Sequence, residues 1–204
     1  MVQEQRARIQ EALSFAFDQH EARCLGKMLF QCMEKEVTNY EELDIECAEK
    51  DDHILILFEQ RLLIPIKSGT GSSWEEKSLE LRPGEAYSMP PVARSMLRYC
   101  AWSAKPDPEQ ALTGVLAMCP AVDAQSLVRL VMHGLQHSTS YRLEAGLFGA
   151  LARRLGLELD LHQAVDLLVT LGVLSPCKAV SMASGISKYE IHPCLFWSRE
   201  DSFK

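Results

Sequence analysis

A mainly α-helical fold with small β-hairpins, laid out twice along the chain, is what the sequence predicts. Three observations carry that expectation. Apolar residues recur at three and four over most of the chain, the spacing of amphipathic helices. Two helical stretches run straight into short extended apolar segments. The two places also share a pattern: LFEQRLLIPIKSGTG from Leu57 and LLVTLGVLSPCKAVS from Leu167 each give helix, turnover, apolar pair, proline and a lysine before a loop. AYSMPP from Ala86 and YEIHPC from Tyr189 follow them and share an aromatic, an aliphatic and a proline. Recurrence of this kind marks one supersecondary unit used twice.

The elements follow in order. Val2 to Gln19 has no proline or glycine, and Ile9, Leu13, Phe15 and Phe17 give it an apolar side, so it reads as a helix. Arg23 to Glu36 is a second, with Leu25, Met28, Leu29, Cys32 and Met33 on one face. Thr38 or Asn39 caps a short helix ending near Ala48, since a short oxygen-bearing side chain accepts an orphan N–H there. Asp51 or Asp52 caps the next, with Ile54, Leu57, Phe58 and Leu62 inward. A hairpin of Leu62–Ile66 and Leu79–Leu81 comes next. Its tip spans Ser68 to Glu76, where Gly69 and Gly71 permit unusual backbone angles. Val92 to Ala101 is helical, with Met96, Leu97 and Cys100 inward. The prolines of Lys105-Pro106-Asp107-Pro108 break the chain before a short helix from Glu109 to Met118.

Asp123 then caps a helix carrying Leu127, Leu130, Val131 and Leu135. Leu143 to Leu155 is another, with leucines at intervals of four. Asp160 caps a third with Leu161, Val165 and Leu168, ending at Gly172. Val173–Cys177 and Lys188–His192 follow as strands around the loop Ala179 to Ser187. The divisions expected are an N-terminal helical extension (1–20), a first unit with an exit helix (21–104), a linker with a short helix (105–122) and a second unit (123–204).

Composition narrows the function classes. Apolar residues are 47 % and charged residues 24 % of 204, ordinary for a globular protein. No apolar run approaches the roughly 20 residues of a membrane span, and no basic-then-apolar leader opens the chain, so the expectation is cytoplasmic with no membrane contact. The seven cysteines are odd in number, widely spaced and free of CxxC pairs, a pattern of reduced thiols. Net charge is −7. Residues 1–120 hold 20 acids against 13 bases, whereas residues 121–204 hold 8 of each. Residues 36–52 alone carry eight carboxylates against Lys50, a surface that repels phosphates.

Three short helices closed by a hairpin, with the third delivering the first strand, resemble the winged-helix superfamily. Residues 21–82 resemble one copy and 123–193 a second. Tyr141–Gly156, Leu161–Thr170 and GVLSPC look like the scaffold helix, recognition helix and first wing strand. Many members of that superfamily are DNA-binding transcription regulators. Others, including tandem copies in chromosome-segregation accessory proteins, are protein-interaction modules, so the resemblance does not choose a function.

Charge leans toward the second class. A DNA-reading third helix needs lysine, arginine, asparagine or glutamine outward. Asp51–Gln60 offers Asp51, Asp52, His53, Glu59 and Gln60, and Asp160–Thr170 offers His162, Gln163, Asp166 and Thr170. The cations of the second unit are neighbours of that helix: Arg142, Arg153, Arg154, Lys178 and Lys188. They define the alternative of a DNA-binding regulator, against the plain reading of a solvated helix face for Arg153-Arg154. The preferred expectation is a non-catalytic regulatory or scaffolding protein with a protein partner, or a second copy as homodimer. Trp74, in a loop of glycine, serine and glutamate, either folds back on the body or waits for a partner. Phe196 and Trp197 are the other candidate contacts, against internal packing between the two units.

Chemistry is sparse. Cys177, His192 and Cys194 could approach across the second hairpin as soft metal ligands, but zinc signatures use close pairs at fixed spacing, so buried thiols and no cofactor are expected. His133 and His137 lie one turn apart with no third ligand at a familiar interval. KSGTGSS lacks the lysine-then-serine/threonine ending of a phosphate loop. No catalytic motif appears, and the expectation is that the chain is not an enzyme.

Overall fold

The structure, a computed structural model, describes residues 1–43, 49–67, 73–119 and 123–198. It is mainly helical, with two small three-stranded antiparallel sheets. Helix α1 (Val2–Leu13) is shorter than its apolar pattern suggests, because Asp18 starts a new helix, α2 (Gln19–Glu34). Asp18 accepts from the Glu21 backbone at 2.8 Å while the Glu21 carboxylate reaches back to the Asp18 N–H, a reciprocal cap. The apolar stripe of α2 is buried as expected: Leu25, Met28 and Leu29 have no exposed surface.

The first sheet is built from β1 (Thr38–Asn39), β2 (Ile64–Pro65) and β3 (Ala86–Ser88), in the order β1-β3-β2. Tyr87 stands opposite both Thr38 and Pro65. Helix α3 (Lys50–Glu59) delivers β2 directly. The return strand is therefore Ala86–Ser88, not the expected Leu79–Leu81; those leucines are half-buried outside the sheet. AYSMPP is itself the strand. Asp51 and Asp52 lie in the first turn of α3 rather than capping it, and suit its positive end. The end of the expected helix near Ala48, and Ser68–Ser72 of the hairpin tip, lie outside the described residues.

Helices α4 (Pro91–Ser103), α5 (Pro108–Leu116) and α6 (Ala124–His137) follow. Strand β4 (Arg142–Glu144), α7 (Ala145–Arg154), α8 (Leu161–Thr170), β5 (Leu174–Pro176), α9 (Lys178–Ser184) and β6 (Lys188–Ile191) complete the second unit. Its sheet order is β4-β6-β5, matching the first. Glu190 faces Arg142 on one side and Ser175 on the other. Asp123 and Asp160 cap α6 and α8 as expected, the first accepting from the Ser126 N–H at 3.1 Å. Two expectations change here. Arg142–Glu144 is a strand, so α7 starts later than Leu143; and the loop Ala179–Ser187 contains most of α9. The two units repeat one arrangement, with the central strand of each sheet the last in sequence.

The units share one core. Helix α1 packs on α2 and α4, α4 on α5, and α5 on α6. Helix α5 is the short helix expected after the Lys105–Pro108 break, and its Ala111, Leu112 and Val115 are fully buried. The turn Pro193–Phe196 lies on α4 and α5. Gly172 shows how tight the joint is. Its φ of +68° suits glycine, and a Cβ there would stand 2.7 Å from that of Pro90 at the start of α4. Beside it, the Val92 N–H donates to the Leu171 carbonyl at 3.1 Å.

Candidate protein-interaction site

Helix α4 presents two faces. Met96, Leu97 and Cys100 point into the core with no exposed surface. Arg94, Arg98 and Trp102 recur at four on the opposite side. Helix α5 is nucleated by Asp107, whose carboxylate accepts from the Glu109 and Gln110 N–H groups at 3.0 and 3.1 Å, with Pro108 at its first position. The two helices approach closely at Gly114, where a Cβ would lie 2.6 Å from Ser95 Oγ; that hydroxyl donates to the Ala111 carbonyl at 2.8 Å. The close approach leaves an open cleft above it of about 590 Å³.

Trp102 and Met118, at 68 % and 62 % exposure, are its exposed large apolar side chains, and Tyr99, Met89 and Pro91 line it with them. Arg94 donates from Nη2 to the Lys35 carbonyl at 2.7 Å, and its buried Nε has no hydrogen-bond acceptor. Arg98 is exposed and has no ion-pair or hydrogen-bond partner among the described residues. Among the described residues no carboxylate lines the cleft. In a chain of net charge −7 this is a local reversal of sign. The sequence held a signal for it: arginines and a tryptophan four residues apart on the polar face of a helix.

The three aromatics expected as partner contacts are buried within the chain's own fold. Trp74, Phe196 and Trp197 are 6 %, 5 % and 1 % exposed. Trp74 folds back onto the second unit, where the wing of the first is clasped. Its N–H donates to Ser175 Oγ at 2.8 Å, and the Ser73 hydroxyl donates to the Pro176 carbonyl at 2.7 Å. The Trp74 ring stands edge-on to His192, with centroids 5.4 Å apart. Arg61 closes the clasp. Its φ of 60° turns the chain out of α3, its carbonyl meets His192 Nε2 at 3.0 Å, and its Nε donates to Glu190 at 3.1 Å. Phe196 stacks edge-on with Tyr141, and Trp197 with Phe17. Burial of so much aromatic surface outweighs holding it ready for a partner.

The five cations of the DNA alternative are divided. Arg142 and Lys188 line a hollow of about 360 Å³ with His137, Thr139, Ser140 and Glu144. Arg153 and Arg154 are exposed in the last turn of α7. Lys178 is paired with Glu76 of the first wing at 2.8 Å. On α8 the outward residues are His162, Gln163, Asp166 and Thr170, as expected. On α3 they are Asp51, Asp52, Leu55 and Glu59, while Lys50 turns back onto the Tyr40 carbonyl and ring.

Cys177, His192 and Cys194 are all buried. His192 uses both ring nitrogens: Nε2–H donates to Arg61, and Nδ1 accepts from the Cys194 N–H at 3.2 Å. Its only lone pair is thereby engaged. Among the described residues no group of three or more His, Cys, Asp or Glu is placed to hold a metal ion. Cys32, Cys100, Cys119, Cys177 and Cys194 are free, whereas Cys24 is disulfide-bonded, against the expectation of seven reduced thiols. Burial pushes the Cys32 and Cys100 thiols up to about 11 and 12, so neither is a thiolate nucleophile at neutral pH. No described helix is long and apolar enough to cross a membrane.

A family model matches residues 7–200, so it takes in both units and the helices between them. The chain belongs to that family. No curated protein and no solved structure matches the chain at a significant level.

Proposed function

We propose that this protein is a non-catalytic regulatory or scaffolding module that acts through protein contacts, with the α4–α5 cleft as its docking surface. The observation that carries this reading is the cleft: a tryptophan and a methionine more than half exposed, beside an unpaired arginine. Apolar surface of this kind, rimmed by polar groups, is typical of interaction sites. The resemblance to winged-helix proteins, some of which are interaction modules, agrees with it. The surfaces through which a winged helix would hold DNA are poorly suited: α3 and α8 present carboxylates, and the first wing is occupied by the second unit.

A photocrosslinking residue placed at position 102 in cells should yield a predominant covalent protein adduct, and one at exposed Gln136 should not. Absence of any protein adduct at 102 would sink the reading. The alternative of a DNA-binding regulator is favoured by the Arg142–Lys188 hollow and by Arg153-Arg154. It requires a gel shift of generic duplex at moderate salt that is lost when Arg142, Arg153, Arg154, Lys178 and Lys188 are neutralised; we expect no shift.

A further inference from the structure

We infer that the occupant of the α4–α5 cleft is an acidic amphipathic helix of a protein partner, an inference that rests on the docking reading above. Three features lead there. The cleft is a trough between two consecutive helices joined by a short turn, Ala104–Asp107, a shape into which a helix lays its apolar stripe at i, i+3, i+4 and i+7. Its volume of about 590 Å³ falls within the range that accepts several side chains. Its apolar part, Trp102 and Met118, matches leucine-sized anchors.

Charge then sets the sign of the partner. Arg94 and Arg98 stand one helical turn apart, roughly 6 Å. Two carboxylates one turn apart on a docked helix would meet both. Among the described residues the Arg98 guanidinium has no partner, and no acid lines the cleft to compete. A basic helix would instead leave Arg98 unpaired beside like charge, which costs binding energy. A polyphosphate would satisfy the arginines but leave Trp102 and Met118 uncovered, and the acidic remainder of the chain repels it at long range.

Trp102 also supplies the readout. The chain has three tryptophans, and Trp74 and Trp197 are buried. A blue shift of emission therefore reports cover over Trp102. The probe is a designed 16-residue helix with leucines at i, i+3, i+4 and i+7 and glutamates flanking them. Its controls are the same helix with lysines in place of the glutamates, and a scrambled sequence. The glutamate helix should shift the emission and bind the full chain, and the other two should bind at least about 10-fold more weakly. Arg98→Glu should weaken the glutamate helix by about 10-fold and strengthen the lysine helix, with the circular dichroism of the variant unchanged. Equal binding of both charged helices, or none of either, overturns the inference. Dimerisation of the chain that protects Trp102 and is lost in R98E would also overturn it, by giving the cleft to a second copy. A crosslinked partner at position 102 whose contact segment is basic would leave the docking reading intact and remove this one alone.

Discussion

At the scale of the residue, His192 is held from both sides of its ring. It has no exposed surface, and burial holds its pKa down at about 3 from an ordinary value near 6.5, with the Arg61 charge adding to the effect and the Arg61 carbonyl opposing it. The sign for stability follows from linkage. Above pH 6.5 the imidazole is neutral in folded and unfolded chains alike. Below it the unfolded chain takes up a proton that the folded chain refuses, so stability falls until the pH reaches about 3. His192→Gln keeps a donor for the Arg61 carbonyl without a titrating group. Urea denaturation should show the advantage of the unaltered chain over His192→Gln shrinking by about 3 kcal/mol between pH 7 and pH 4. A difference that does not change with pH would mean that His192 is protonated or reached by water in the fold. The histidine was visible in the sequence as a metal candidate, but its partner, Arg61, lies 131 residues away.

At the scale of the element, every helix except α9 was legible, because each of these carries its own instructions. Asp107, Asp123 and Asp160 each cap the helix that follows, and the periods of α2, α4, α6 and α8 name their buried faces. Short strands were not legible in the same way. Arg142-Leu143-Glu144 continues a leucine pattern that reads equally well as a helix, and only pairing with Lys188–Glu190 makes it a strand. The return strand of the first wing was misplaced for the same reason: Leu79–Leu81 and Ala86–Ser88 are both plausible, and the register with Thr38 and Pro65 selects the second. Gly172 tests how firmly α8 meets α4. Gly172→Ala meets both a left-handed backbone and Pro90, whereas Gly156→Ala, at φ +64°, meets open space. Thermal or chemical denaturation should show Gly156→Ala costing about 1 kcal/mol and Gly172→Ala about 2–3 kcal/mol. Equal costs would contradict a tight joint between the units.

At the scale of the whole molecule, the clasp at Trp74 and the joint at Gly172 make the two units one body, with the short helix α5 packed between α4 and α6. Unfolding should then be a single cooperative transition, coincident by tryptophan emission and far-ultraviolet circular dichroism. Trp74→Ala removes the ring that bridges to His192 and should separate it into two transitions. Two transitions in the unaltered chain would show that the units are only loosely joined. The same union explains why Trp74 is covered although its local surroundings are polar: its burial depends on a unit distant in the chain.

What the sequence by itself determined is the doubled plan, the helical faces and the acidic character of the first part, because caps, periods and charges act over a few residues. What only the tertiary structure decided is which aromatics are covered and which stand open: Trp74 and Trp197 are inside, and Trp102 is outside beside Arg98. For Trp74 and Trp197 that choice belongs to packing between segments far apart in the chain, where burial of apolar area settles the outcome; for Trp102 the only local sign is its spacing of four from Arg98 and Arg94.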